Sequence, residues 1–215
     1  MKNYEQFERW LTDGASPGAM GDETEYPIAG CRELLSGITA RVRAQDAQSV
    51  LCMGAGSESI ARDLYADGCE VYLIDMGADR AARFSGEMPG AHVIHCDFLD
   101  EIPEELYENE FDAVVFTYSA HVLSDEEKLW LIDDLADLLS ESGVIYVGDV
   151  CFWTSAEREI CRRRCRGTWD EDAGYIVYDD LRLAIAEMYE DGLTRFTRFS
   201  HCTGLVEFSF AFFGQ

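Results

Sequence analysis

Residues 49–57 read Ser49-Val50-Leu51-Cys52-Met53-Gly54-Ala55-Gly56-Ser57, an apolar run of strand length that stops at two glycines. A run so short and so apolar, closed by glycine, reads as a buried strand. Helical spacing follows at Ile60, Leu64 and Tyr65 and stops at Gly68. A second strand, Glu70-Val71-Tyr72-Leu73-Ile74, ends in Asp75, and a helix around Asp79 to Gly86 leads to a third, His92-Val93-Ile94-His95, ending at Cys96-Asp97. Phe111-Asp112-Ala113-Val114-Val115-Phe116 is the fourth. Ser124 and Glu127 then form a capping box that opens a helix with Leu131, Leu135 and Leu138 on one face. Gly143 precedes the fifth strand, Val144 to Asp149. Continuous apolar strands alternating with amphipathic helices predict a parallel sheet covered on both sides, an α/β, doubly wound fold.

The pattern changes after Val150. Thr154 and Glu157 read as a second capping box, starting a helix with Arg162, Arg163 and Arg164. A further helix, roughly Asp179 to Asp191, packs through Leu181, Ile185 and Met188 and stops at Gly192. Two strands close the chain with a turn near Thr203-Gly204. In the last, Val206, Phe208, Phe210 and Phe212 alternate with Glu207, Ser209 and Ala211, the period of a half-buried strand in an antiparallel hairpin. At the other end, a short helix from Tyr4 to Leu11 precedes the glycine-rich loop Asp13 to Asp22, and a helix through Leu34, Leu35 and Ile38 leads to the first strand. The chain thus reads as one α/β domain, residues 46–215, with an N-terminal helical cap and lid, residues 1–45.

Composition narrows the functional classes. The 215 residues are 47% hydrophobic and 12% aromatic, enough for one well-packed core. Seventeen Lys and Arg against 42 Asp and Glu leave a net charge of −25. Such a surface repels nucleic-acid backbones and anionic membrane faces. No apolar run reaches the roughly 18 residues of a membrane helix, and Met1 to Gln6 has no apolar signal core behind it. The expectation is a cytoplasmic protein, monomer or homodimer, acting on small molecules or on other proteins. Its eight cysteines read as reduced structural residues. Cys161 and Cys165, spaced i, i+4 among arginines, make a reactive or metal-binding pair the alternative, although two ligands are only half of a zinc site. No metal is expected.

In an open parallel sheet, ligands bind at the carboxyl ends of the strands where strand order reverses. Gly54-Ala55-Gly56 follows the first strand there, and glycine lets backbone approach a ligand closely. Asp75 closes the second strand 19 residues after Gly56, placed to accept both hydroxyl hydrogens of a ribose. Asp97-Phe98 closes the third, an acceptor beside an apolar ring, suited to an adenine amine and face.

Val50-Leu51-Cys52-Met53-Gly54-Ala55-Gly56-Ser57, together with Ile74-Asp75, Cys96-Asp97-Phe98 and Phe111-Asp112-Ala113-Val114, resembles the class I S-adenosylmethionine-dependent methyltransferases. The likeness to the small bacterial methyltransferase-domain proteins covers Ser49 to Val150 and extends through the terminal hairpin. It implies a seven-stranded, mostly parallel, Rossmann-like sheet and S-adenosylmethionine as cofactor. It also implies that Gly54, Ala55 and Gly56 touch the methionine part, Asp75 the ribose, Met76 the adenine, and Asp97 and Phe98 the adenine amine and ring. Thr117 and Tyr118 would line the reactive centre. Two positions depart from the family pattern: Cys52 replaces the usual acid before the first glycine, and Glu58 the third glycine. Glu58 either supplies the missing carboxylate from across the turn or crowds the methionine site.

Methyl transfer is an in-line displacement that asks the protein mainly to align two reactants and exclude water. A general base matters only where the acceptor must lose a proton, and His121 is the candidate by position. Tyr26 and Trp10 are candidates for the substrate mouth. The expected partner is a small-molecule methyl acceptor, with amines mildly favoured by the acidic surface. A non-catalytic protein of this fold that binds S-adenosylmethionine or S-adenosylhomocysteine is the alternative. More remote is an NAD-dependent oxidoreductase, whose fingerprint would need glycine where Ser59 stands.

Overall fold

The computed structural model describes residues 26–54, 56–98, 102–190 and 192–210. The expected helix from Tyr4 to Leu11, the loop Asp13 to Asp22, Trp10, Ala55 and the strand end at Ala211 and Phe212 lie outside them. In chain order the elements are α1 (Cys31–Ala44), β1 (Ser49–Met53), α2 (Ser57–Asp67), β2 (Glu70–Asp75), α3 (Ala78–Glu87), β3 (His92–His95), β4 (Phe111–Thr117), α4 (Asp125–Ala136), β5 (Leu139–Phe152), α5 (Ser155–Arg164), β6 (Ile176–Val177), α6 (Tyr178–Met188), β7 (Leu193–Arg198) and β8 (Thr203–Ser209).

The main sheet runs β3-β2-β1-β4-β5-β8-β7, with β6 pairing the end of β5. β1 to β5 are parallel; β8 is antiparallel to both β5 and β7. Seven strands, mostly parallel and closed by an antiparallel pair, are as expected. Two-residue β6 is additional and too short to leave a periodic signal.

Burial on both sheet faces follows from the apolar strands. Along β1, Val50 and Cys52 enter the core cluster beneath α1 and α2, with Leu34, Ile38 and Leu64. Leu51 and Met53 enter the opposite cluster, with Leu131, Leu135, Ile185 and Phe208. Helix ends are set locally. Gly68 stops α2 at φ +97°, its N–H returning to Leu64 and Tyr65 carbonyls. Ser124 and Glu127 form the reciprocal box on α4.

Two boundaries and one cap differ from expectation, each for a steric or hydrogen-bonding reason. Gly143 lies inside β5, where an added Cβ would stand 2.7 Å from the Phe111 carbonyl oxygen at a register shift against β4. Thr203 and Gly204 open β8 rather than forming the hairpin turn. Gly204 is needed because a side chain there would strike the Phe196 ring at 2.4 Å. The turn is instead 199–202, with the Ser200 hydroxyl accepting from the N–H groups of Cys202 and Thr203. Thr154 caps α5 by accepting from Glu157 N–H at 3.3 Å. Glu157 does not return the bond; its carboxylate accepts from Trp153 N–H and pairs with Arg198 on β7.

Among the described residues no helix is long and apolar enough to cross a membrane. The hairpin completes the second core: Phe208, fully buried and opposite Ile145 of β5, fills it beside Val206 and Ile185. Phe208→Ala is expected to cost about 3–5 kcal/mol, read as a lower denaturation midpoint in urea at unchanged slope.

Candidate functional site

The order β3-β2-β1-β4-β5 places the topological switch point between β1 and β4, whose carboxyl ends are Met53 and Thr117. Gly54 continues from β1 at φ +89°, and an added Cβ would lie 2.4 Å from the Thr117 carbonyl oxygen. At Gly56 it would lie 2.7 Å from Thr117 Oγ1. Gly56 N–H donates to the Thr117 carbonyl at 3.4 Å. The Ser57 hydroxyl donates to the carbonyls of Met53 and Gly54, holding the turn at the mouth of α2. Both glycines are therefore steric requirements of one strand-to-strand contact. Thr117 is wholly buried, and among the described residues its hydroxyl oxygen has no hydrogen-bond partner. A buried polar atom of that kind costs free energy unless something else completes it.

Strand register carries the site sideways. Met53 pairs with Ile74 and Asp75 with His95, so the glycine turn, Asp75 and the exposed Asp97 succeed one another along the carboxyl edge. The Asp75 carboxylate accepts from Gly77 N–H at 2.6 Å and from Arg80 Nε at 3.0 and 3.1 Å. Arg80 Nη2 adds a third contact at 3.0 Å. Met76 is half-buried beside it, its carbonyl bonded to His95 Nε2. Phe98 is buried, edge-on to Phe116 at 5.6 Å.

The two departures from the family pattern have distinct settings. Cys52 is fully buried, and burial pushes its thiol far above the usual range, so it supplies no charge to the turn. Glu58, in the first turn of α2, lies 3.4 Å from Arg83 and 3.9 Å from Arg62. Burial raises its carboxyl above the ordinary carboxylate value, with Arg83 and Arg62 opposing. Its charge is directed to α3 rather than spent on the turn.

Beyond β4 the chain builds a second cluster. Tyr118 takes φ +48° and is wholly buried, its N–H on the Gly148 carbonyl. Such left-handed backbone in a large residue costs of order 1–3 kcal/mol and concentrates at functional sites. Its hydroxyl sits with Cys31 and Thr203, and its ring edge lies against the glycine turn, where a Cβ added at Gly56 would stand 3.0 Å from Tyr118 Cδ2. His121 Nδ1 lies 3.1 Å from both oxygens of Asp149, and its backbone N–H reaches the same carboxylate at 3.0 Å. Asp149 also accepts from Val150 N–H. Above them an aromatic layer forms: Tyr26 stacks on Trp169 at 5.2 Å, its hydroxyl bonds that of Tyr175, and the Tyr175 ring is 6.4 Å from His121. Burial holds the Tyr26 phenol protonated, pushed up to about 12.

The structure thus joins Gly54, Gly56 and Thr117 directly, sets Asp75, Met76 and Asp97 along the same edge, and links Tyr26 to His121 through Tyr175. Arg80, Asp149, Trp169 and Tyr175 were not singled out from the sequence. Asp149 had a signal, an acid closing an apolar strand like Asp75; the other three had none. A separate depression of about 70 Å³, lined by Lys128, Ile176, Leu181 and Ala184, lies between α4 and α6 and contains none of these residues.

The chain matches a methyltransferase-domain family model over residues 51–147. It is 28% identical over 138 residues to an uncharacterized methyltransferase of Alkaliphilus oremlandii, covering 64% of this chain and 59% of that protein. Over such matches the chain spans about half to three fifths of the length of these curated relatives. Among solved structures it is similar to magnesium protoporphyrin IX methyltransferase from Synechocystis with bound S-adenosylhomocysteine, with TM-score 0.67 and 16% identity, covering 96% of this chain and 94% of that one. It is also similar to an N-methyltransferase from Bradyrhizobium japonicum in complex with S-adenosylhomocysteine, with TM-score 0.62 and 17% identity, covering 97% and 98%.

Two outcomes follow from this geometry. Gly54→Ala is expected to destabilise the fold by at least about 1–3 kcal/mol, measured by denaturant unfolding, because φ and the Thr117 carbonyl both reject a Cβ. Glu58, with its folded value raised, favours the native state fully only when protonated. Stability is therefore lost as pH rises from the ordinary carboxylate value of 4.5 through the raised one. Glu58→Gln is expected to abolish that fall, seen as a flatter midpoint-against-pH curve.

Proposed function

We propose that the chain is a class I S-adenosylmethionine-dependent methyltransferase, a reading supported by the methyltransferase-domain match over residues 51–147 and by its methyltransferase relatives, and that it methylates a small-molecule acceptor. The observation that carries the reading is the glycine turn wedged on Thr117 at the switch point, in line with a carboxylate at the end of β2. The residues present fit an adenosyl cofactor: two positions that admit no side chain, a buried hydroxyl awaiting a partner, and carboxylate oxygens at two strand ends. Gly54, Ala55, Gly56 and Thr117 would hold its methionine part. Asp75 would hold the ribose, and Met76, Asp97 and Phe98 the adenine side.

The bound cofactor supplies an electrophilic methyl group on a sulfonium centre. Everything else falls to this chain. Arg80 holds the Asp75 carboxylate rigid through its planar fork, at the cost of occupying lone pairs that ribose hydroxyls would share. Glu58, turned to Arg83, leaves the glycine turn unobstructed. Tyr26, Trp169 and Tyr175 supply the water-excluding surface on which a flat or cationic acceptor would rest. His121 donates its Nδ1 proton to Asp149, which fixes the tautomer and makes Nε2 the proton-accepting nitrogen. For an acceptor whose nucleophilic atom carries a proton, His121 is the group placed to take it.

The test is calorimetric titration of the folded protein with S-adenosylmethionine and S-adenosylhomocysteine, with NAD as control. Both adenosyl ligands are expected to bind and NAD to give no heat. Asp75→Ala is expected to weaken binding by about 10–100-fold, the equivalent of losing a charged hydrogen bond. No binding by folded protein would overturn the reading, and binding with no methyl transfer to a panel of amines, thiols and carboxylates would favour the binding-protein alternative. His121→Gln is expected to lower turnover of a protonated acceptor by about 10²-fold or more while leaving S-adenosylhomocysteine affinity unchanged. An equal loss of both would reduce His121 to a structural role.

A further inference from the structure

Cys161 on α5 and Cys165 at its C-terminal cap lie one helical turn apart, with sulfur atoms 4.0 Å from each other. The 199–202 turn between β7 and β8 brings His201 to the same place. One ligating atom from each of the three falls within 4.8 Å of the others. We propose that Cys161, Cys165 and His201 form a binding site for a thiophilic transition-metal ion, zinc(II) in the first instance, with the fourth position open to solvent.

The distances favour a metal over a disulfide. Two thiolates on a tetrahedral zinc ion, with Zn–S about 2.3 Å, stand about 3.8 Å apart, close to the separation found. A disulfide requires sulfurs at about 2.05 Å, which an i, i+4 pair on a helix reaches only by distorting it. The donor set of two thiolates and an imidazole selects zinc or copper(I) and disfavours magnesium and calcium. Cys161 is buried, Cys165 half-buried and His201 exposed, which leaves an entry path from the solvent side. Burial and the neighbouring Cys165 thiol push the Cys161 thiol up to about 12. A divalent cation between the two sulfurs removes that penalty and releases the protons. Local positive charge is partly neutralised, since Arg162 pairs with Glu159 and Glu171, and Arg163 with Glu159. Cys202, next to His201, is engaged with the Ser200 and Thr203 hydroxyls and the Pro27 carbonyl, so it stays out of the ligand set.

Such an ion would tie the end of α5 to the hairpin turn. The Cys165 carbonyl accepts from the N–H groups of Thr168 and Trp169, and Trp169 carries the stack on Tyr26. The metal would therefore brace the aromatic layer from behind, whatever that layer binds.

The test is a cobalt(II) titration of the full, reduced, chelator-treated chain. The expected result is a thiolate-to-cobalt charge-transfer band saturating at one equivalent, release of about two protons per ion, displacement by zinc, and a higher thermal midpoint with zinc. Cys165→Ser is expected to abolish the band. His201→Ala, an exposed change that leaves the fold intact, is expected to weaken binding at least about tenfold, whereas Cys69→Ser, a half-buried cysteine elsewhere, leaves the titration unaltered. The proposal fails if folded wild-type protein gives no charge-transfer band, or if all three variants titrate alike. It also fails if Cys161 and Cys165 oxidise to a disulfide in air while saturating zinc is present.

Discussion

The contact between the Gly54–Gly56 turn and the end of β4 is the constraint on which this molecule depends. It occurs where the strand order reverses, so two parallel strands that point their carboxyl ends the same way meet with no helix between them. The Thr117 carbonyl fills the space a side chain at Gly54 would take. Removing two Cβ atoms is what lets the turn after β1 lie against the end of β4, with the Gly56 N–H on the Thr117 carbonyl.

Charge is managed around the crevice with few cations. Against 42 acidic residues the chain has 17 Lys and Arg, and three of those arginines gather on one edge. Arg80 grips Asp75, Arg83 reaches Glu58 and Glu87, and Arg62 bridges the same two glutamates. Pairs this close to the surface add little to stability. Their effect is positional: they fix which carboxylates face the site and which are drawn off it. Glu58 illustrates this, since its carboxylate is turned toward α3 and the glycine turn beside it keeps its shape.

The second cluster works through burial. Asp149 is fully buried and accepts from His121 twice and from Val150, and each bond is stronger for lying out of water. Tyr175 lies between this pair and the Tyr26–Trp169 stack, so segments 149 residues apart in sequence, Tyr26 and Tyr175, share one hydroxyl contact. The polar pair and the aromatic layer hold the ends of β4 and β5 to the helix-rich insertion that follows β5.

Periodicity was enough to determine the α/β class, the parallel direction of the first five strands, the terminal hairpin, and the row of Gly54, Gly56, Asp75 and Asp97. These rest on local physics: apolar runs must be buried, glycines must stand where backbone approaches backbone, and an acid that closes an apolar strand falls at its carboxyl edge. Boundaries that depended on a distant partner were not legible. Gly143 and Gly204 look like turn residues in the sequence, yet they answer to Phe111 and Phe196 across the sheet. The Thr154-Glu157 pair reads as a reciprocal box until Arg198, 41 residues on, claims the glutamate. Arg80 on Asp75, Asp149 on His121, Tyr175 on Tyr26, and His201 beside Cys161 and Cys165 likewise became visible only in three dimensions. Each joins residues that no local pattern connects, and only the packed sheet brings them within hydrogen-bonding or ligating distance.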